Sequence, residues 1–199
     1  HELRSPLARM QLLLEMIPKH KNLKKLKEEV VFLEGMIGNL LLSDRLSLPY
    51  SKLELEQFTT EEIVQRALEM FPTSRGKIKV KNSIPEAKVL IDETKFSLAL
   101  RNLLDNAFKY SVKDINIELI ITKKDDVEFQ VKDSGIGISK EDIKKIIQPF
   151  FQADQTVSTK GFGLGLTICK KIIESHKGRL SIKSVQGKGS VFTLHLPEI

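Results

Sequence analysis

The sequence contains no tryptophan, two tyrosines and a single cysteine among its 199 residues. A single cysteine excludes a disulfide framework within the chain and permits a cytosolic location. Because Cys169 falls in the helical pattern Leu166-Thr167-Ile168-Cys169-Lys170, we interpret it as a small buried hydrophobe rather than a reactive thiol. No apolar run approaches the length of a membrane-spanning helix, and no signal peptide is recognisable.

The charge balance is basic, with a net charge of +6 and a pI near 9.3. Such a surface suits nucleic acid, anionic lipid or an acidic partner protein. The lysines are spread along the chain, apart from one cluster at a predicted helix turn, formed by Lys19, Lys21, Lys24, Lys25 and Lys27. No interleaved aromatic residues or nucleic-acid motif accompany the cluster. We therefore interpret it as a solvated loop and expect no nucleic-acid partner.

Two amphipathic helices are predicted before residue 48. The first apolar stripe steps by four and three residues until Pro18 interrupts it, and comprises Leu3, Leu7, Met10, Leu14 and Ile17. The second is a heptad pattern, which favours a supercoiled seam, and comprises Leu23, Leu26, Val30, Leu33, Ile37 and Leu40. We predict an all-α antiparallel hairpin over residues 1–47 that pairs with a second copy as a four-helix bundle. The alternative is that this apolar surface packs against the rest of the chain.

Beyond a linker near residues 47–51, mixed periods predict an α+β arrangement with a second domain over residues 48–199. A capping box at Thr59-Thr60-Glu61-Glu62 opens a helix to about Phe71. Further helices are predicted at 93–110, 139–147 and 164–176, the last with Gly178 as its C-cap. Strands are predicted at 52–58, 77–82, 88–91, 116–122, 127–132, 179–185 and 190–196. The predicted fold is an α/β sandwich with helices on one face of a mixed sheet.

Three motifs in this second domain suit phosphate and metal chemistry. Asn102, Asn106 and Lys109 share one stripe of a helix and offer amide oxygens for a hard cation and an ammonium for phosphate. Asp133-Ser134-Gly135-Ile136-Gly137 follows a predicted strand. Gly161-Phe162-Gly163-Leu164-Gly165-Leu166 opens a helix, where amide donors and the helix dipole favour phosphate. Each motif alone is weak, and their order carries the information.

This order resembles the ATP-binding domain of sensor histidine kinases, within the superfamily of gyrase, chaperone, histidine kinase and mismatch-repair ATPases. The run His1-Glu2-Leu3-Arg4-Ser5-Pro6-Leu7 is similar to the phosphoacceptor box of the same kinases. The resemblance implies that His1 is phosphorylated from Mg-ATP, with Glu2 acting as acid/base toward the ring and Arg4 neutralising phosphate. It also implies that Ser5 orients water in the dephosphorylation of a response regulator.

For the nucleotide, the resemblance implies Asn106 as the Mg²⁺ ligand and Asn102 as a metal or phosphate contact. Lys109 is expected to reach phosphate, and Tyr110 to lie against the adenine ring. Asp133 is expected to accept the adenine amino group, with Gly135 and Gly137 letting the backbone approach base and sugar. The predicted phosphate site is completed by Lys160, Gly161, Gly163, Gly165 and Leu166.

Two positions depart from relatives. ATP-hydrolysing members carry Glu four residues before the metal Asn, whereas this sequence has Asn102, and an amide cannot take a proton from water. We therefore expect poor hydrolysis. Many kinases read Phe-Tyr-Arg where this sequence reads Phe150-Phe151-Gln152, and no arginine lies between Arg101 and Arg179. Lys160 is the cation expected instead. An ATP-binding scaffold without phosphoryl transfer and a hydrolysing ATPase stay open as alternatives.

The resemblance also implies partners and location. We expect a homodimer that passes its phosphoryl group to an aspartate of a response-regulator receiver domain. Because the chain begins at the predicted acceptor, we expect it to be the cytoplasmic part of a longer, inner-membrane-anchored protein. The remaining histidines, His20, His176 and His195, have no metal-ligand spacing and are interpreted as structural or solvent-facing.

Overall fold

The computed structural model describes residues 10, 12–14, 16, 23–47, 53–71, 78–111, 116–153 and 163–197. The chain forms two compact units, His1–Arg45 and Leu46–Ile199. Among the described residues, no helix combines the length and the apolar character that crossing a membrane requires.

The first unit contains helix α1, Leu23–Ser47, and further helical residues at 10, 12–14 and 16. Leu14 and Val30 are each 5% exposed and form a small core, against which Leu23 and Ile37 pack. Residues 17–22, which would form the turn of the predicted hairpin, lie outside the described residues. The hairpin is therefore not part of the described structure, and both it and the bundle stay predictions.

The second unit is an α/β domain with a mixed sheet, as predicted. Its elements are β1 Glu56–Thr59, α2 Thr60–Glu69, β2 Ile78–Asn82, β3 Lys88–Ile91, α3 Glu93–Tyr110, β4 Ile117–Lys123, β5 Val127–Lys132, α4 Gly165–Ser175, β6 Arg179–Val185 and β7 Gly189–Leu196. Five strands form one sheet in the order β2-β4-β5-β7-β6, in which β2 and β4 are parallel and the other pairs antiparallel. Strands β1 and β3 form a separate antiparallel pair.

Helices α3 and α4 pack against each other and bury their apolar stripes in the core. Phe96 of α3 meets Phe129 of β5 edge-on, with ring centroids 5.1 Å apart. Burial of such side chains is the main favourable term in folding. Because α3 commits one stripe to the core, its Asn102, Asn106 and Lys109 stripe is left only partly buried.

The starts of α2 and α3 both carry side-chain caps, of which that of α2 was predicted. The capping box of α2 forms as predicted, because Glu62 N–H donates to Thr59 Oγ1 (3.2 Å) and Thr59 N–H donates to Glu62 Oε2 (2.7 Å). Asp92 caps α3 by accepting a bond from Lys95 N–H (3.1 Å).

Two predicted features are wrong. Residues 139–147 form a run of turns rather than a helix, with Ser139 capping Asp142 N–H (3.1 Å) and Pro149 soon ending any helical path. The C-cap of α4 is His176, and Lys177 takes the left-handed conformation (φ 60°) expected of a glycine. Gly178 is still required, because a Cβ there would lie 2.1 Å from the carbonyl oxygen of His195.

Candidate nucleotide-binding site

The predicted Asn and Lys stripe occupies the second half of α3, anchored by buried Leu103, Leu104 and Ala107 on the opposite side of the helix. At the end of the helix, Lys109 Nζ lies 4.9 Å from the centroid of the Tyr110 ring. An ammonium at this distance is attracted to the ring face. The last turn of α3 therefore presents a cation and an aromatic face side by side.

Asp133 follows β5 and is only 6% exposed. Its Oδ1 accepts bonds from Gly135 N–H (2.8 Å) and Ser190 N–H (3.2 Å). Burial raises the pKa of the Asp133 carboxyl, and these two backbone bonds oppose the rise. No described residue donates to Oδ2. The protein thus fixes one carboxyl oxygen and leaves the other able to accept a hydrogen bond from a ligand.

The loop of residues 133–138, called the Asp133 loop, lies between the end of α3 and β6. A Cβ on Gly135 would lie 2.4 Å from the carbonyl oxygen of Tyr110, and one on Gly137 would lie 2.1 Å from that of Val185. Gly137 also has φ +65°, which L side chains rarely adopt. Both positions therefore need glycine because other parts of the protein backbone lie so close, and their predicted approach to base and sugar stays a prediction. The Tyr110 end of α3 adjoins this loop.

The start of α4 lies against α3. A Cβ on Gly165, the first residue of α4, would lie 3.8 Å from Asn102 Cγ. The N-cap, Leu164, makes no side-chain capping bond, unlike Thr59 and Asp92 at the starts of α2 and α3. The first amides of α4 are therefore free of a side-chain cap beside Asn102, which suits an anion.

A contact that the sequence did not indicate joins α4 to α3. The Cys169 thiol, one turn into α4, donates to the carbonyl oxygen of Ala99 (3.3 Å). Burial raises the pKa of the Cys169 thiol to about 12, against a smaller opposing effect of the nearby Asn102 side chain. Cys169 is thus the inert, buried residue that was predicted.

Residues 91–199 match the family described as "Histidine kinase-, DNA gyrase B-, and HSP90-like ATPase". The chain belongs to this ATPase family. The match covers α3, the Asp133 loop and α4, so the three motifs that carried the resemblance all fall within it.

Full-length proteins similar to this ATPase-family chain are named as sensors. "Sensor protein KdpD" of Clostridium acetobutylicum is 32% identical over 213 residues, covering 100% of this chain and 24% of the relative. "Sensor histidine kinase WalK" of Bacillus subtilis is 28% identical, covering 99% of this chain and 35% of the relative. The chain thus spans well under two thirds of these relatives. The predicted resemblance to sensor histidine kinases is confirmed.

Solved structures agree. Full-length ShkA in complex with AMPPNP superposes with a TM-score of 0.83 at 26% identity, covering 100% of this chain and 44% of that one. The catalytic domain of histidine kinase ThkA gives a TM-score of 0.61 at 28% identity, covering 73% of this chain and 99% of that one.

The residues present fit a nucleotide-bound metal rather than a closed metal site. Among the described residues, no group of three or more His, Cys, Asp and Glu side chains is arranged to hold a metal ion. Mg²⁺ commonly takes few protein ligands and completes its shell with substrate phosphates and water. A single amide ligand such as Asn106 beside a phosphate site is compatible with that arrangement.

The structure brings together Asn102, Gly163, Gly165 and Leu166 around the start of α4, and Tyr110, Asp133, Gly135 and Gly137 around the loop. His1, Glu2, Arg4, Ser5, Lys160 and Gly161 lie outside the described residues, and their roles stay predictions. Sequence reasoning missed Ser190 and Ser184, which bond to the loop from β7 and β6. The only sequence signal for these two serines was the predicted pair of strands β6 and β7, whose connection has the residues of an ordinary turn.

Proposed function

We propose that this chain is the catalytic core of a sensor histidine kinase that transfers the γ-phosphoryl group of Mg-ATP to His1. The observation that carries the proposal is the position of Gly165, where a Cβ would lie 3.8 Å from Asn102 Cγ, because it sets the uncapped start of α4 beside the Asn102 side chain of α3. Membership of the ATPase family and the names of the relatives support a kinase.

Each side chain of the nucleotide site then has a role. Asp133 Oδ2 accepts the adenine amino group, while Tyr110 lies against the ring. Asn106 would hold Mg²⁺, and the ion would supply positive charge against the negative charge that develops on the phosphates during transfer. Lys109, Lys160, Asn102 and the start of α4 hold the phosphates, with Gly161, Gly163 and Leu166 shaping that segment.

In the transfer step, a neutral ring nitrogen of His1 attacks the γ-phosphorus in line. A nitrogen–phosphorus bond forms, the bond from the γ-phosphorus to the bridging oxygen breaks, and ADP leaves. Glu2 takes the ring proton, and Arg4 neutralises the incoming phosphate. The product is a phosphoramidate, which can pass its phosphoryl group to a receiver aspartate. In the reverse role, Ser5 orients water to dephosphorylate the regulator.

The partners follow from the first unit. Leu26, Leu33 and Leu40 of α1 recur every seven residues and are 49%, 41% and 43% exposed. Pairing with a second copy would bury them in a homodimer. We propose that the chain is the cytoplasmic part of a membrane-anchored sensor protein, and its coverage of only 24% and 35% of the similar sensor proteins supports a longer protein.

Incubation with γ-labelled ATP tests the proposal. Label should appear on the protein, be acid-labile and alkali-stable as a phosphoramidate is, and vanish in His1→Gln. ATP affinity should be retained in that variant, because the nucleotide residues lie in the other unit. Acid-stable label on Ser or Thr would overturn the assignment.

A nucleotide-binding scaffold is the second candidate, favoured by Gln152 in the place where many kinases have arginine. The same experiment separates the two functions, since a scaffold would bind ATP and acquire no label. Release of free phosphate at a steady rate without label would instead indicate a hydrolase, which Asn102 argues against.

A further inference from the structure

The Asp133 loop, residues 133–138, is joined at several points to the β6–β7 hairpin. Asp133 N–H donates to Ser190 O (2.9 Å), and Gly187 N–H donates to Ile136 O (2.7 Å). The fit is close, because a Cβ on Gly189 (φ +98°) would lie 2.1 Å from the carbonyl oxygen of Asp133. These bonds run from main chain to main chain, so no substitution removes them individually.

One further bond depends on a side chain. Ile138 N–H donates to Ser184 Oγ (2.8 Å), which anchors the far end of the Asp133 loop to β6 across 46 residues of sequence. The same hydroxyl donates to Gly189 O (3.0 Å) and lies 3.0 Å from Ser190 Oγ. With one donor and two acceptor positions, the Ser184 hydroxyl is fully used.

Ser184 therefore connects two parts of one assembly. On one side it holds the loop that carries Gly135 and Gly137, and on the other it holds Gly189 and Ser190. Ser190 N–H is in turn one of the two donors that fix Asp133 Oδ1 (3.2 Å). Loss of the hydroxyl would free the Ile138 end of the loop and remove one contact of Ser190, while the main-chain bonds at Asp133 and Ile136 remain.

We propose that Ser184 is a positioning residue for base recognition, which holds the Asp133 loop so that Asp133 Oδ2 meets the adenine amino group. The inference rests on the proposed function, since it concerns the base side of that nucleotide site. Guanine has a carbonyl oxygen where adenine has its amino group, and a carboxylate repels it. The position of the Asp133 carboxylate therefore determines the preference for adenine over guanine. A displacement of about 1 Å would weaken such a contact considerably.

The test compares ATP and GTP binding to the full chain by calorimetry. Ser184→Ala should weaken ATP binding about tenfold, the equivalent of one buried hydrogen bond. GTP binding, which gains nothing from Asp133, should change little, so base discrimination falls. Ser184→Thr keeps the hydroxyl and should restore most of the preference for ATP.

Ser181→Ala is the matched control, because it makes the same change on the same strand. Ser181 Oγ lies 2.7 Å from His195 Nε2 and, three residues away, points to the opposite face of the sheet. This control should leave the ATP-to-GTP ratio at its wild-type value. The inference is overturned if Ser184→Ala keeps the wild-type ratio, or if Ser181→Ala lowers it equally. A wild-type chain without any preference for ATP would instead overturn the proposed adenine site itself.

Discussion

The two oxygens of the buried Asp133 carboxyl have different partners. A substitution that changes only one of these atoms can test the difference. In Asp133→Asn the amide oxygen can still accept from Gly135 and Ser190, whereas the amide nitrogen replaces Oδ2 with a donor. We expect ATP affinity to fall on the order of 100-fold because a donor then faces the adenine amino group. The melting temperature should change little. Asp133→Ala, which also strands two buried amides, should lose both affinity and stability; equal ATP binding by the Asn variant would contradict the role.

His176 is a structural histidine, as its lack of metal-ligand spacing suggested, and its bonds require the neutral ring. Asp92 N–H donates to Nε2 (2.9 Å), and Nδ1 lies 2.7 Å from the carbonyl oxygen of Ile172. Burial lowers the pKa of His176, with the nearby Lys95 charge acting in the same direction and Asp92 and the Ile172 bond opposing it. The ring thus ties the cap of α3 to the end of α4.

The pKa shift of His176 gives a signed prediction. A lowered folded-state pKa means that the unfolded chain binds the proton first as pH falls below about 6.5. The stabilisation is complete above that pH and is lost as pH falls toward the folded-state pKa. We expect the free energy of unfolding of wild type to fall more than that of His176→Asn between about pH 7.5 and 5.5, as measured by urea unfolding. Parallel pH profiles would show that His176 does not titrate this way.

Cys169 offers a probe of opening. It is fully buried, and burial raises its pKa to about 12, so little thiolate is present or reachable at neutral pH. A thiol reagent such as dithiobisnitrobenzoate should therefore react only after unfolding, in step with urea denaturation. Rapid stoichiometric labelling in native buffer would indicate that α4 leaves α3 far more readily than this packing implies.

At the scale of elements, the end of α4 allows two effects of glycine to be tested separately. One is relief of a left-handed backbone conformation, and the other is the absence of a Cβ where the backbone of another strand lies close. Lys177→Gly should raise the free energy of unfolding by roughly 0.5–1 kcal/mol, because it relieves the left-handed conformation at φ 60°. Gly178→Ala should lower it, because the new Cβ would meet the backbone of His195 at 2.1 Å. Urea titration of both variants checks the pair. A Gly178→Ala variant with a higher free energy of unfolding would show that the β6–β7 hairpin moves readily to accept the new Cβ.

Local signals explain which elements were predictable. The bounds of α3, β3, β5 and β6 were correct, because caps, apolar periods and turn residues lie within or beside each element. Residues 139–147 carried a capping serine and apolar spacing, yet so short a segment gains little from helix propagation and forms turns. The setting of Asp133 was not predictable, since Ser190, 57 residues later, provides half of it.

At the scale of the whole molecule, metal binding should depend on nucleotide. Because the described residues contain no carboxylate or histidine cluster for an ion, Mg²⁺ alone should leave the melting temperature unchanged. ATP should raise the melting temperature, and Mg-ATP should raise it further. At one hundred times its Kd, Mg-ATP should stabilise the free chain by about 2.7 kcal/mol in total. Removal of Mg²⁺ with a chelator, and Asn106→Ala, should each abolish the second increment. Stabilisation by Mg²⁺ alone would place the ion elsewhere.

Assembly can be tested through α1. Leu33→Lys places a charge in the exposed heptad stripe and should shift the proposed dimer to monomer in sedimentation. Glu28→Lys adds a lysine at an exposed position that is already polar, and should leave the dimer intact. Neither change should alter ATP affinity, since the nucleotide residues lie in Leu46–Ile199. A Leu33→Lys chain that is still dimeric would show that the dimer interface does not include this stripe.

The place of β7 has a consequence for biosynthesis. This strand comes last in sequence but lies between β5 and β6, and its first residues fix Asp133. During translation, β5 therefore has no partner on one side until residues 189–196 have left the ribosome, and its open edge can template aggregation. Both donors to the Asp133 carboxyl, the proposed adenine contact, are in place only once that strand is present. Under the proposed function, ATP therefore binds and stabilises only chains whose synthesis has passed β7.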